Sequence, residues 1–145
     1  MAQEISQIKV DILDVSRSLY SGPALSLTAP AALGEVCILP RHAPMLTKLN
    51  TGEVRLRTQD GGLQFFFVAG GFLEVSDSSV TVLADQTMRS EEIDEAAAVA
   101  ARQQAEEMLG TSLLFTDRDR AQIALVEALV KLRILEHSRM KHGKS

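Results

Sequence analysis

The sequence predicts a mainly β N-terminal part, either a sandwich or a small barrel, followed by an antiparallel two-helix hairpin. Three observations predict it. Short apolar–polar alternations of period two recur through the first 88 residues, separated by turn residues. From Ser90 onward the apolar spacing lengthens to three and four, as a helix requires. Two such helical stretches are separated by Gly110 and the short segment TSLLF, which lets the chain reverse. The expected domains are 1–88 and 89–145.

Each strand follows from its pattern. In IKVDI, Ile8, Val10 and Ile12 alternate with Lys9 and Asp11, the signature of a half-buried strand. ALSLT (24–28), EVCIL (35–39), GEVRLRT (52–58), LQFFFV (63–68), FLEV (72–75) and VTVL (80–83) repeat the theme. Between them, SGP, APAALG, PRHAP, NTG, QDGG and SDSS carry turn chemistry. The run FFFVAGGFLEV (65–75) holds four of the five phenylalanines, yet Gly70 and Gly71 interrupt it. Glycine weakens a strand interior, so a bulge or sharp bend is expected there, with FFFV supplying core-facing aromatics.

The helices follow from capping and spacing. Ser90 is the expected N-cap of the first, with Glu91, Glu92, Asp94 and Glu95 where the helix dipole favours negative charge. This helix runs to Gly110. Thr116 or Asp117 caps the second, of similar length, which continues to about Arg139 and sets Ala121, Leu125, Ala128, Leu132 and Leu135 on one face. Ala96, Ala97, Ala98, Ala100, Ala101 and Ala105 dominate the first helix. Each buried methyl contributes only ~0.8 kcal/mol, so the seam is close but thin, and a thin seam can open. Residues 89–130 carry four Lys/Arg against nine Asp/Glu, whereas Lys131, Arg133, Arg139, Lys141 and Lys144 then face Glu136 alone. That reversal complements the helix dipole and also suits an acidic partner surface.

Composition excludes several classes. The chain has 145 residues, 46% hydrophobic and 23% charged, without a disordered or collagen-like bias. No apolar run approaches the ~18–20 residues of a membrane span, and MAQEISQIKV lacks the secretory pattern. A single cysteine, Cys37, excludes an internal disulfide framework and fits a reducing compartment. The net charge of −4 gives no general reason to bind nucleic acid, and the basic tail lacks aromatic interleaving.

Catalytic equipment is sparse. Cys37 and His42, with Asp85 or Glu35, make a triad on paper. Cys37 nevertheless reads as a small buried hydrophobe in EVCIL, and His42, between prolines in PRHAP, as exposed on a rigid loop. Histidines 42, 137 and 142 give no zinc spacing, and no phosphate-cradling glycine motif is present. No catalytic residue, metal or cofactor is expected. Two other readings compete with a pure assembly role. One is a free-standing ligand-binding sandwich with an oligomerisation hairpin; the other is a small hydrolase using Cys37 or His42.

GEVCILPRHAPMLTKLNTGEVRL, FFFVAGGFLEVSDSSVTVLADQTMR and IDEAAAVAARQQAEEML, in that order, resemble the epsilon subunit of bacterial F-type ATP synthases (the delta subunit in mitochondria). The resemblance covers nearly the whole chain and implies a flattened β-sandwich followed by a helical hairpin. It further implies a non-catalytic subunit of the rotary central stalk, bound to gamma and the c-ring and coupling rotation to ATP synthesis. The expected location is peripheral, on the cytoplasmic face of the bacterial plasma membrane. The resemblance sets Glu35 and His42 on the loop end facing the c-ring and gamma, and Arg41 adds a positive charge to that loop. It also implies that the hairpin can extend along gamma toward the catalytic alpha and beta subunits, where Lys131, Arg133 and Arg139 would hinder ATP hydrolysis. Some members bind ATP through a segment like [IL]-D-x-x-R-A. Here Ile93 and Asp94 remain but Ala97 stands at the arginine position, so ATP binding is expected to be weak or absent.

Overall fold

The computed structural model describes residues 6–111 and 114–142 and divides into two compact units, Met1–Arg89 and Ser90–Ser145. Ser112, Leu113 and Lys144, which fall in the expected linker and basic tail, lie outside the described residues.

The first unit is built of eight strands: β1 (Ile8–Leu13), β2 (Ser18–Ala24), β3 (Ser26–Ala31), β4 (Gly34–Ile38), β5 (Met45–Lys48), β6 (Gly52–Arg57), β7 (Leu63–Ser76) and β8 (Ser79–Arg89). Pairing follows the order β2-β1-β8-β7-β6-β3-β4, with β5 also on β7. All neighbours are antiparallel except β1 and β8. The strands form two layers that share β7 and β8. The N-terminal half of β7 pairs with β6 and the end of β8, while its C-terminal half pairs with β5 and the start of β8. Between the layers lies one core, including Ile8, Val10, Leu27, Ile38, Val54, Leu56, Phe66, Val68, Leu73, Val75, Val80 and Val82. This is the sandwich, and it excludes the small-barrel alternative.

The bend expected at the two glycines is present, and it is not a bulge. β7 and β8 keep one register from Phe66 opposite Arg89 to Ser76 opposite Ser79, and only Gly70 opposite Asp85 is left unpaired. Gly70 and Gly71 have φ of 73° and 115°, so the strand turns from one layer into the other without an inserted residue. The pleat also divides the aromatics. Phe66 faces the inter-layer core, Phe65 and Phe67 are buried on the opposite side of the strand, and Phe72 is about half exposed.

Several stretches expected to be turns are strands. SGP belongs to β2, and Pro23 is tolerated because β2 is an edge strand. APA completes β3, where Pro30 lies beyond the last β6 pairing and only its carbonyl is used, accepting from Asn50 N at 2.8 Å. The tight turn at SDSS, which joins β7 to β8, has positive φ at both Asp77 (46°) and Ser78 (66°), matching a two-residue turn whose twist suits a hairpin.

The second unit opens with a 3₁₀ turn, Ser90–Glu92, against the second helix, then α1 (Glu95–Thr111) and α2 (Phe115–His142). The caps differ from expectation. Asp94, not Ser90, caps α1: its Oδ1 accepts from Ala97 N at 3.1 Å, the third amide of the turn, while Ser90 is spent in the preceding turn. Thr116 and Asp117 lie inside α2, whose first turn is closed by Arg118 N donating to Leu114 O at 3.0 Å. The helices are unequal, 17 and 28 residues. They pack antiparallel through the small residues Ala98, Ala105, Ala121 and Ala128, all buried, with Leu125, Leu132 and Leu135 half buried. α2 is not one-faced, because Val130 and Ile134 are buried as well.

Candidate functional site: a docking loop, an apolar sheet face and a basic helix end

Glu35 occupies the start of edge strand β4, opposite Pro30. Its Oε1 accepts from Arg55 Nη2 at 3.1 Å, and Arg55 Nη1 lies 3.6 Å from Glu53 Oε1. The guanidinium thus spans a carboxylate on its own strand β6 and one on β4 beyond the intervening β3, leaving Glu35 exposed but oriented. Cys37 is exposed, which corrects its expected burial. The alternation explains why: Val36 and Ile38 turn inward, so Cys37 shares the outward parity of Glu35.

The loop after β4 is a constrained turn. His42 N donates to Leu39 O at 3.1 Å across Pro40 and Arg41, and Arg41 sits at φ 69°. Proline followed by positive φ matches a type II turn, a slot that normally favours glycine. A side chain there costs on the order of 1–2 kcal/mol, so the rest of the loop holds Arg41 outward against local strain. His42 is half buried and its Nδ1 donates to Ala43 O at 2.7 Å. Glu35 and this loop stand at opposite ends of β4, separated by roughly 10 Å of strand at ~3.3 Å per residue. Among the described residues, Cys37 makes no hydrogen bond to His42. Asp85 is on β8, opposite Gly70 at the bend of β7.

A further surface escaped the sequence reading. Leu46 on β5, Phe72 on β7 and Leu83 on β8 are 68%, 47% and 47% exposed and line a shallow apolar depression with Glu74 and Thr81. Phe72 pairs with Leu83, and Leu46 with Glu74, so the three share one outer face. The signal was available, since each is a large apolar residue on the outward parity of its strand. Four-residue β5 is too short to display a period, which masks the patch in the sequence.

In the helical unit, Arg139 Nη1 donates to Glu95 Oε2 at 2.9 Å. The hydrogen bond and the charge of Arg139 hold the Glu95 carboxyl below its ordinary value of 4.5, and the Arg139 guanidinium is raised in turn. Lys131 is half buried and engaged, and Arg133 is exposed. Ile93 is buried and the Asp94 carboxylate is occupied as a cap, while Ala97 is exposed. Near the loop end of the hairpin a cleft of about 300 Å³ opens between Ala101, Ala105 and Met108 on α1 and Arg120, Ala121 and Ala124 on α2, where the seam's side chains are small. Among the described residues, no group of three or more His, Cys, Asp or Glu is placed to hold a metal ion. No helix among them is long and apolar enough to cross a membrane.

These features sit on a known framework. Residues 7–90 match the family described as "ATP synthase, Delta/Epsilon chain, beta-sandwich domain". The ATP synthase epsilon chain of Nitrosococcus oceani is 48% identical over 134 residues, covering 92% of this chain and 96% of its own. That of Halorhodospira halophila is 46% identical over 138 residues, covering 94% and 98%. In solved structures, a chain of the Euglena gracilis mitochondrial ATP synthase, OSCP/F1/c-ring in rotational state 1, superposes with a TM-score of 0.76. It is 23% identical and covers 83% of this chain and 76% of its own, a likeness of fold. Sequence match, layered sandwich and helical hairpin agree, and the chain belongs to the ATP synthase delta/epsilon family.

Proposed function

We propose that this chain is the epsilon subunit of a bacterial F-type ATP synthase, a non-catalytic rotor component that joins gamma to the c-ring and couples rotation to ATP synthesis. The coupled ion is a proton or sodium. The observation that carries this reading is similarity running through both units to proteins named ATP synthase epsilon chain. The sandwich supplies a docking body. Its exposed apolar face, Leu46, Phe72 and Leu83, supports a protein interface with gamma, because such surface is stabilised by burial at roughly 25 cal/mol per Å². Glu35, Arg41 and His42 are the polar contacts toward the c-ring and gamma, Glu35 oriented by Arg55 and Arg41 by the turn that strains it. Preorganisation of this kind lowers the ordering cost of docking. Association with the cytoplasmic face of the plasma membrane is then peripheral, through the complex.

The hairpin is the regulatory arm. Its alanine seam opens at modest cost, and Lys131, Arg133 and Arg139 present positive charge to acidic loops of the catalytic alpha and beta subunits, hindering ATP hydrolysis. ATP is a poor ligand here, since Ala97 offers no guanidinium and the Asp94 carboxylate is committed to the helix cap.

The test is a pull-down from detergent-solubilised membranes with the tagged chain, which recovers gamma and the c-ring. Their absence overturns the rotor reading. A truncation after Arg89, which keeps β8 whole, retains both partners and raises ATP hydrolysis by the complex. Unchanged hydrolysis removes the inhibitory role and leaves coupling intact.

A further inference from the structure

Lys131, Arg133 and Arg139 do not stand alike in the folded hairpin. Arg139 is already engaged by Glu95 at 2.9 Å, across 44 positions of sequence. The pair spans the first residue of α1 and the last turns of α2, whereas Arg118 Nη1, donating to Leu109 O at 2.6 Å, joins the helices beside the loop. The hairpin is thus tied at both ends, with an alanine seam between. Its loop end is also tied covalently; its open end depends on side chains. Separation of two helices joined by a short loop begins at the open end, where fewest contacts must break together.

We propose that Glu95 and Arg139 form an ionic latch on the open end of the hairpin, and that the arm is released when a carboxylate on a partner subunit competes with Glu95 for Arg139. The inference rests on the regulatory reading of the arm and deepens it by identifying what holds the arm shut. Both groups are exposed, 49% for Glu95 and 63% for Arg139, so the pair is accessible to a competing carboxylate and to screening by salt. An exposed pair biases an equilibrium by a small factor, about twofold to fivefold, which matters where the rest of the seam is thin. The same guanidinium serves both states: in the closed arm it is satisfied by Glu95, and in the open arm it is a free cation. Closing the latch therefore also removes a positive charge from the helix end.

The test uses the full-length chain and then the assembled complex. Hydrogen exchange of the first turns of α1 reads opening of the arm, with strand amides of the sandwich as the internal reference. At low ionic strength Glu95→Gln and Arg139→Gln each raise exchange about twofold to fivefold, and the double variant is no faster than the faster single one. The differences shrink in high salt. Additive single effects, or no effect at low salt, overturn the latch. In the complex the two variants diverge. Glu95→Gln opens the arm and keeps the cation, so ATP hydrolysis falls; Arg139→Gln opens the arm without it, so inhibition does not deepen. If exchange responds as described but hydrolysis ignores both variants and the truncation after Arg89, the latch stands and the inhibitory reading fails.

Discussion

At the scale of single residues, two adjacent glycines have different duties. A Cβ built on Gly71 would lie 2.2 Å from Leu83 O and 2.6 Å from Ala84 Cα, against backbone that cannot move away. At Gly70 the nearest atom is Asp85 Oδ2 at 2.7 Å, the mobile end of an exposed side chain. Gly71→Ala therefore destabilises the sandwich by about 3 kcal/mol or more, from the clash and from φ of 115°. Gly70→Asn costs about 1 kcal/mol, since φ of 73° is a region asparagine tolerates. Denaturant midpoints of the two variants measure the contrast. Glu95 supplies a second prediction at this scale. Its pKa is lower in the folded arm than in the unfolded chain, so its contribution is fully present above its ordinary value of 4.5. It is lost as pH falls below that value and through the folded pKa. Exchange of the α1 amides, corrected for its intrinsic pH dependence, rises over this acid range in the native chain and stays flat in Glu95→Gln.

At the scale of elements, the helical seam sets its own separation. Ala98, Ala105, Ala121 and Ala128 are 3–5% exposed, so the helices approach as closely as a methyl group permits. Ala128→Leu adds volume where none is available and costs about 1–3 kcal/mol, wedging the hairpin apart. α1 and α2 amides then exchange faster while those of β1, β7 and β8 do not change. This seam was legible in the sequence because alanine at helical spacing has one economical use. The caps were not legible. Ser90 and Asp94 both suit an N-cap, and only the observed 3₁₀ turn between them decides which amides are left to satisfy. The strands divide in the same way. β1, β6 and β8 announced themselves by strict alternation, whereas β2 and β5 did not. Gly22 and Pro23 imitate a turn in β2, and four-residue β5 is too short to display a period.

At the scale of the whole molecule, the sequence specified the kind of body more clearly than its working surfaces. Glu35, Arg41 and His42 could be named from the loop motif, but the support given to Glu35 by Arg55 depends on two strands meeting through a third. The apolar patch depends likewise on β5, β7 and β8 lying side by side. Its residues are 26 and 37 positions from Leu46 along the chain, a separation no local pattern reports. Phe72→Glu places a charge in the middle of that patch without disturbing the core, because Phe72 points away from it. The variant is expected to fold with an unchanged melting point and to weaken gamma capture at least tenfold, read by titrating the purified subunit onto epsilon-depleted complex.

The passage of β7 and β8 from one layer into the other has a mechanical consequence. No plane of purely side-chain cohesion separates the leaves, so neither can slide or peel over its neighbour without straining covalent main chain. The body answers twisting as a single laminate would, stiff along the very hairpin whose two glycines let it fold.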